Sequence, residues 1–146
     1  MKITVAGLGY VGLSNAVLLA QNNEVTAFDI DPVRVEKVAN KTSPINDADI
    51  QLFLENEQLD LVATADPDVA FKGANLVVVA TPTNYDPDLN YFDVTSVEAC
   101  IRQALAASPD AKIVVRSTVP VGFVETARQN FKSDRIFFAP EFLREG

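Results

Sequence analysis

Ile3-Thr4-Val5-Ala6-Gly7-Leu8-Gly9-Tyr10-Val11-Gly12 is the stretch whose reading decides the fold. A short β-rich run ends at a glycine, and the segment from Val11 to Leu19 then has helical length and apolar spacing, which reads as strand, turn and helix. Gly7, Gly9 and Gly12 stand in the pattern G-x-G-x-x-G. The first glycine permits a tight turn, the second lets the backbone approach a pyrophosphate, and the third lets helix and strand pack closely. The helix N-terminus then offers free N–H groups and the positive end of its dipole to phosphates. Six residues alone specify little. The context adds Asp29 at the end of a second strand, Glu24 to Phe28, about twenty residues on, where a carboxylate accepts hydrogen bonds from an adenosine ribose. The competing reading, glycines that only shape a turn and an Asp29 that solvates a strand end, leaves the agreement of glycines, strand, helix and acid unexplained. A carboxylate there repels a 2′-phosphate, so NAD is expected over NADP. Arg34, five residues later, keeps NADP open as a partner for a 2′-phosphate, or else is a solvated helix residue or a surface partner for Asp31.

Outward from this unit, strand-like and helix-like segments alternate to the end of the chain. Asp31-Pro32 reads as an N-cap with proline at the first helical position, opening a helix to about Lys41. Ser43-Pro44 breaks the chain, and Asp47 to Asn56 is a weaker helix of insertion character. Leu61 to Thr64 reads as a strand, Asp66-Pro67 opens a short helix closed by Gly73, and Asn75 to Ala80 is a continuous apolar run suited to a strand buried on both faces. Thr81 to Phe92 reads as a long surface loop. Asp93 to Ala107 carries an apolar stripe at 94, 97, 101 and 105 with Asp93 as N-cap. Lys112 to Arg116, Gly122 to Phe131 and Arg135 to Ala139 complete the pattern as strand, helix and strand. Strands separated by helical crossovers imply parallel pairing. The fold expected is α/β: a doubly wound, mainly parallel six-stranded Rossmann sheet with helices on both faces, occupying residues 1–146 as one domain.

Composition narrows the chemistry. The chain has 146 residues, 48% hydrophobic and 22% charged, which excludes disordered and low-complexity classes. Twenty acidic against twelve basic residues give a net charge of −8, which repels polyanions, so no nucleic-acid partner is expected. With no histidine and one cysteine, the common zinc ligand sets and the Ser-His-Asp and Cys-His arrangements are missing, and no metal is expected. The uncharged run between Lys2 and Glu24 is interrupted by glycines and polar residues. It therefore reads as the glycine-loop unit rather than a signal peptide or membrane span, and a cytoplasmic protein with no membrane partner is expected.

Ligands of open α/β sheets sit outside the carboxyl ends of the strands. There the chain carries Thr81-Pro82-Thr83-Asn84-Tyr85-Asp86, Ser117-Thr118-Val119-Pro120-Val121-Gly122 and Pro140-Glu141-Phe142-Leu143-Arg144-Glu145-Gly146. Taken generically, the prolines stiffen loops and Ser117-Thr118 could cap a helix. Together with GLGYVG at 7–12 and Asn90-Tyr91-Phe92-Asp93, however, TPTNYD, STVPVGF and PEFLREG resemble the UDP-glucose/GDP-mannose dehydrogenase family along the whole chain. The wording is more similar to the UDP-glucose 6-dehydrogenases than to the GDP-mannose or UDP-N-acetylmannosamine enzymes.

The resemblance implies oxidation of the sugar C6 alcohol of UDP-glucose to the carboxylate of UDP-glucuronate. Two NAD are consumed, and the path runs through a thiohemiacetal and a thioester on a cysteine that is then hydrolysed. It implies a homodimer whose chain continues into a central helix and a C-terminal domain supplying that cysteine and most of the UDP surface. On this expectation residues 1–146 are the NAD-binding half, able to bind NAD, inactive alone and monomeric. The family's motifs carry Tyr10 and Val11 to the pyrophosphate, Asp29 and Arg34 to the adenosine ribose, and Thr83 to the cofactor. Thr118 matches the threonine that contacts cofactor and helps place the hydrolytic water, and Glu141 the glutamate proposed as general base. Phe142, Leu143 and Arg144 match substrate contacts, and Glu145 a residue touching both substrate region and cofactor. Read as residues, Glu141 and Glu145 are four apart, close enough to perturb each other, or else are solvated carboxylates, one paired with Arg144 or Arg135. Cys100 lies inside a helix, one residue off its apolar stripe and away from a strand's carboxyl end, and reads as a buried hydrophobe rather than the nucleophile. Phe137-Phe138 and Tyr91-Phe92 read first as packing, with Tyr91 free enough to meet a partner. A non-catalytic nucleotide-binding module is the reading from a different class.

Overall fold

The computed structural model describes residues 1–56, 58–88 and 91–141. In chain order the elements are β1 (Lys2–Ala6), α1 (Tyr10–Ala20), β2 (Glu24–Phe28), α2 (Pro32–Ala39), α3 (Ala48–Asn56), β3 (Leu61–Thr64), α4 (Pro67–Ala70) and β4 (Leu76–Val79). A hairpin of β5 (Asn84–Asp86) and β6 (Tyr91–Asp93) follows, then α5 (Thr95–Ala107), β7 (Lys112–Val115), α6 (Phe123–Phe131) and β8 (Ile136–Phe138). Six strands form one sheet in the order β3-β2-β1-β4-β7-β8, every neighbouring pair parallel. This is the doubly wound α/β arrangement, and its strand order reverses between β1 and β4, opening a crevice at their carboxyl ends.

Side-chain alternation divides the core between the two faces of the sheet. Ile3, Val5, Val25, Ala27 and Val78 meet α1, α2 and α3 through Leu13, Val17, Val38, Ile50 and Leu54. Ala6, Phe28, Val77, Val79, Ile113 and Val115 face the other way, onto Phe71, Val97, Ile101 and Val124. The buried hydroxyl of Thr4 donates to Ala70 O at 2.6 Å and that of Ser108 to Phe71 O at 2.7 Å, so each enters the core with its hydrogen bond made.

The predicted caps form where aspartate precedes proline. Asp31 accepts from Val33 N–H and Asp66 from Asp68 N–H, both at 2.9 Å. Elsewhere boundaries and faces shift. The expected loop over residues 81–92 contains the antiparallel hairpin, with Tyr85 opposite Phe92 and their rings 4.8 Å apart. Because β6 keeps Asp93 extended opposite Asn84, α5 starts later, with Val94 at the N-cap, and the Asp93 carboxylate accepts from Thr95 N–H at 3.0 Å. The buried face of α5 is Val97, Cys100, Ile101 and Ala104; Cys100 is therefore on the buried stripe, not beside it. Phe137 and Phe138 stand exposed on the edge strand β8 instead of packing inside, with the Arg128 guanidinium 5.5 Å from the Phe137 ring. No helix among the described residues is long and apolar enough to cross a membrane.

Phe71 is fully buried, with its ring 5.3 Å from that of Phe28. Phe71→Ala is expected to cost about 3–5 kcal/mol of unfolding free energy through lost transfer and cavity terms, read as a lower urea midpoint at unchanged m-value.

Candidate functional site

The carboxyl ends of β1, β2, β4 and β7 border a cavity of about 930 Å³. Its floor is the glycine loop. Gly7 has φ +96° and its N–H donates to Phe28 O at 2.8 Å, while a Cβ on it would stand 2.5 Å from Ala80 O. A Cβ on Gly12 would fall 1.7 Å from Gly7 O. No larger residue fits either place. Around Gly9, by contrast, a Cβ would meet nothing nearer than Arg34 Nη1 at 4.0 Å. It would project into open space, where its absence leaves room for a ligand to approach the backbone. Gly9 is also the N-cap of α1, with no side-chain cap and no acidic residue in the first turn. The first N–H groups of a helix lack intrahelical acceptors, so this end is suited to an anion.

Asp29 ties that loop to the end of β2. Its Oδ2 accepts from Leu8 N–H at 2.7 Å and its Oδ1 from Asp31 N–H at 2.9 Å, leaving lone pairs on both oxygens for a further donor. Arg34 does what its surface reading anticipated and something more: Nε lies 3.6 Å from Asp31 Oδ2, and Nη1 donates to Leu8 O at 3.3 Å. Tyr10 and Val11 line the cavity, and the Tyr10 hydroxyl reaches Asn46 O at 3.4 Å.

At the opposite end, the loops after β4 and β7 are stitched together by hydroxyls. Thr83 Oγ1 donates to Thr118 O at 2.7 Å, Ser117 Oγ donates to Thr81 O at 2.7 Å, and Ser96 Oγ lies 2.9 Å from Pro82 O and 3.0 Å from Thr81 Oγ1. Ser117 and Thr118 therefore do not cap a helix; α6 has Gly122 at its N-cap, with φ 82°. Glu141 forms an ion pair with Arg116, not with Arg135, which is engaged by Asp110 at 3.6 Å and by Pro109 O. The structure thus brings Gly7, Gly9, Tyr10, Val11, Asp29, Arg34, Thr83, Thr118 and Glu141 to one cavity, with Gly12 immediately behind its floor. Phe142, Leu143, Arg144 and Glu145 lie outside the described residues, as does the expected coupling of Glu141 with Glu145.

Sequence reasoning did not single out Arg116, Ser96 or Gln103, all on the cavity wall. Arg116 directly precedes the Ser117-Thr118 motif, a signal available in the sequence; Ser96 and Gln103 depend on the rotation of α5, which the stripe placed differently. That rotation also puts Cys100 on the wall rather than away from the site, although it is only 4% exposed. Burial, and secondarily the charge of Asp29, push its thiol up to about 11, the opposite of what an activated nucleophile needs. Among the described residues no group of three or more His, Cys, Asp or Glu side chains is placed to hold a metal ion.

Comparison with known proteins gives the site its context. The profile described as UDP-glucose/GDP-mannose dehydrogenase family, NAD binding domain, matches residues 1–146. A UDP-glucose 6-dehydrogenase of Streptococcus pneumoniae is 48% identical over 145 residues, covering 99% of this chain and 37% of that protein. One of Campylobacter jejuni is 41% identical over 148 residues, covering 100% and 38%. Among solved structures, a UDP-D-ManNAc dehydrogenase of Pyrococcus horikoshii superposes with a TM-score of 0.88 at 25% identity, covering 100% of this chain and 37% of that one. The chain spans well under half the length of these relatives.

The raised thiol of Cys100 sets an alkaline dependence. The folded state favours the neutral thiol, whereas the unfolded chain releases the proton near the ordinary value of 9.0. The contribution is present below pH 9 and lost as pH rises through about 11. Urea unfolding at a series of pH values should show wild type losing stability across that window, with a slope approaching about 1.4 kcal/mol per pH unit, relative to Cys100→Ala.

Proposed function

The chain belongs to the UDP-glucose/GDP-mannose dehydrogenase family as its NAD-binding domain, and from this premise we propose that it is the cofactor-binding part of a UDP-glucose 6-dehydrogenase. The observation that carries the reading is the meeting of the glycine loop, Asp29, Thr83, Thr118 and Glu141 around one cavity. When bound, NAD supplies the hydride acceptor for oxidation of the sugar alcohol. The backbone N–H groups at Tyr10 and Val11 hold the pyrophosphate, and Asp29 accepts from the adenosine ribose while continuing to clamp Leu8. Arg34 braces the same loop through Leu8 O and borders the ribose. Thr83, fixed by its bond to Thr118 O, lines the far end of the cofactor site.

In the hydrolytic step Thr118 positions water and Glu141 is the general base. Water oxygen forms a bond to the thioester carbon, its proton passes to the Glu141 carboxylate, and the carbon–sulfur bond breaks to release thiolate. The thiol belongs to a part of the enzyme beyond this domain, not to Cys100. Phe142, Leu143, Arg144 and Glu145 contribute contacts to substrate, and Glu145 also contacts cofactor. The complete enzyme acts in the cytoplasm as a homodimer, whereas this domain alone binds NAD without turnover.

Calorimetric titration of the domain tests the cofactor assignment. NAD should bind at least about tenfold more tightly than NADP, a difference of roughly 1.4 kcal/mol. Asp29→Asn should weaken NAD and narrow that gap, because one acceptor oxygen becomes an NH₂ group facing a backbone donor. Equal or tighter NADP binding by wild type would overturn the role given to Asp29. For the complete enzyme the expected stoichiometry is two NADH per UDP-glucose. Oxidation of GDP-mannose or UDP-N-acetylmannosamine in its place would reassign the substrate, the latter in keeping with the structural likeness to the Pyrococcus horikoshii protein.

A further inference from the structure

Arg116 follows β7 directly, and its backbone N–H donates to Val79 O at 2.8 Å, so the root of its side chain is fixed to the sheet. From there the guanidinium Nη2 pairs with Glu141 Oε2. Both side chains are largely withdrawn from water, 22% exposed for Arg116 and 17% for Glu141, and the Arg116 Nε is buried with no hydrogen-bond partner among the described residues. Taking a guanidinium out of water with one donor unmatched is unfavourable. Its pairing with Glu141 offsets that cost, and it holds the carboxylate at the wall shared with Thr118.

The other described charges on the cavity wall are committed elsewhere. Among the described residues lining the cavity the cations are Arg34 and Arg116, and Arg34 is engaged at the glycine-loop end by Asp31 and Leu8 O. Asp29 and Asp31 sit at that same end, bonded to backbone N–H groups. Cys100 on α5 carries a thiol whose ionisation is pushed up by burial. Of the arginines near β8, Arg135 pairs with Asp110, and Arg128 donates from Nε to Ile136 O at 2.7 Å.

We infer that Arg116 is a positioning residue, whose fixed guanidinium orients Glu141 and keeps it as an ionised carboxylate able to accept a proton at the Thr118 end of the cavity. The inference rests on the general-base reading of Glu141 for its consequence, but the pairing is a property of this domain and is testable in it. A planar donor fork suits a carboxylate better than an ammonium does. Lysine at this position should therefore keep the charge effect and lose part of the orientation.

The test is the side-chain carboxyl resonance of Glu141, followed by carbon-detected NMR against pH in wild type, Arg116→Met and Arg116→Lys. Amide spectra report whether each variant is folded. The expected result is a Glu141 midpoint displaced upward by about one pH unit or more in Arg116→Met, because an adjacent cation favours the charged carboxylate, with substantial recovery in Arg116→Lys. In wild type the Arg116 Nε resonance should move with the Glu141 midpoint, a measurement that stands even if a variant fails to fold. An unchanged midpoint in folded Arg116→Met, a folded Arg116→Lys that matches it, or an Arg116 resonance indifferent to Glu141 would each overturn the inference. Coupled titration in a wild-type domain that fails to bind NAD would instead overturn the functional reading and leave the pairing in place. NAD binding with uncoupled titration would do the reverse.

Discussion

The approach of Gly12 to the carbonyl of Gly7 is the constraint on which the site depends. A Cβ at position 12 would sit 1.7 Å from that oxygen, and one at position 7 would sit 2.5 Å from Ala80 O. Backbone therefore packs against backbone where β1, the start of α1 and the end of β4 converge. This places the first turn of α1 at the reversal point of the sheet, with its N–H groups facing the crevice rather than a neighbouring strand. Asp29 completes the arrangement from β2 by accepting from Leu8 N–H. The residue suited to a ribose thus also holds the loop suited to a phosphate, so the two ends of the cavity are mechanically coupled.

Electrostatics follow from the same local design. A chain of net charge −8 is a poor host for a dinucleotide on long-range grounds. The local field differs, because no charged residue stands between Lys2 and Glu24 and α1 carries no acid in its first turn. The helix end itself carries no acid, and the Asp29 carboxylate at that end is already engaged by the Leu8 and Asp31 N–H groups. At the other end, Arg116 and Glu141 form a charge pair within the shared wall. On the proposed function, binding and proton acceptance rest on these short-range groups rather than on the net charge.

Much of this was legible in the sequence because the signals were local. Glycine spacing, an acid at a strand end and Asp-Pro helix starts each dictate backbone geometry within a few residues, and Asp31 and Asp66 cap as their contexts imply. What was less legible depended on long-range placement. The β5–β6 hairpin has no simple apolar alternation, and it forms around the pairing of Tyr85 with Phe92. That hairpin delays the start of α5, whose buried face includes Cys100. Phe137-Phe138 looked like core by composition, but β8 is the sheet edge and leaves both exposed. Among the described residues Glu141 pairs with Arg116, twenty-five residues earlier in the chain, because β7 and the segment after β8 end at the same edge. Charge type alone did not distinguish it from Arg135.

The central claim is that a dinucleotide binds across the glycine loop and the end of β2. Amide chemical-shift mapping of the isotope-labelled domain during NAD addition tests it most directly. The account predicts saturable shifts at Leu8 to Gly12 and at Asp29 to Asp31, extending to Thr83 and Thr118, with the exposed face of α6 undisturbed. Saturable shifts confined to the β5–β6 hairpin or to the β8 edge, with the glycine-loop amides unmoved, would contradict it.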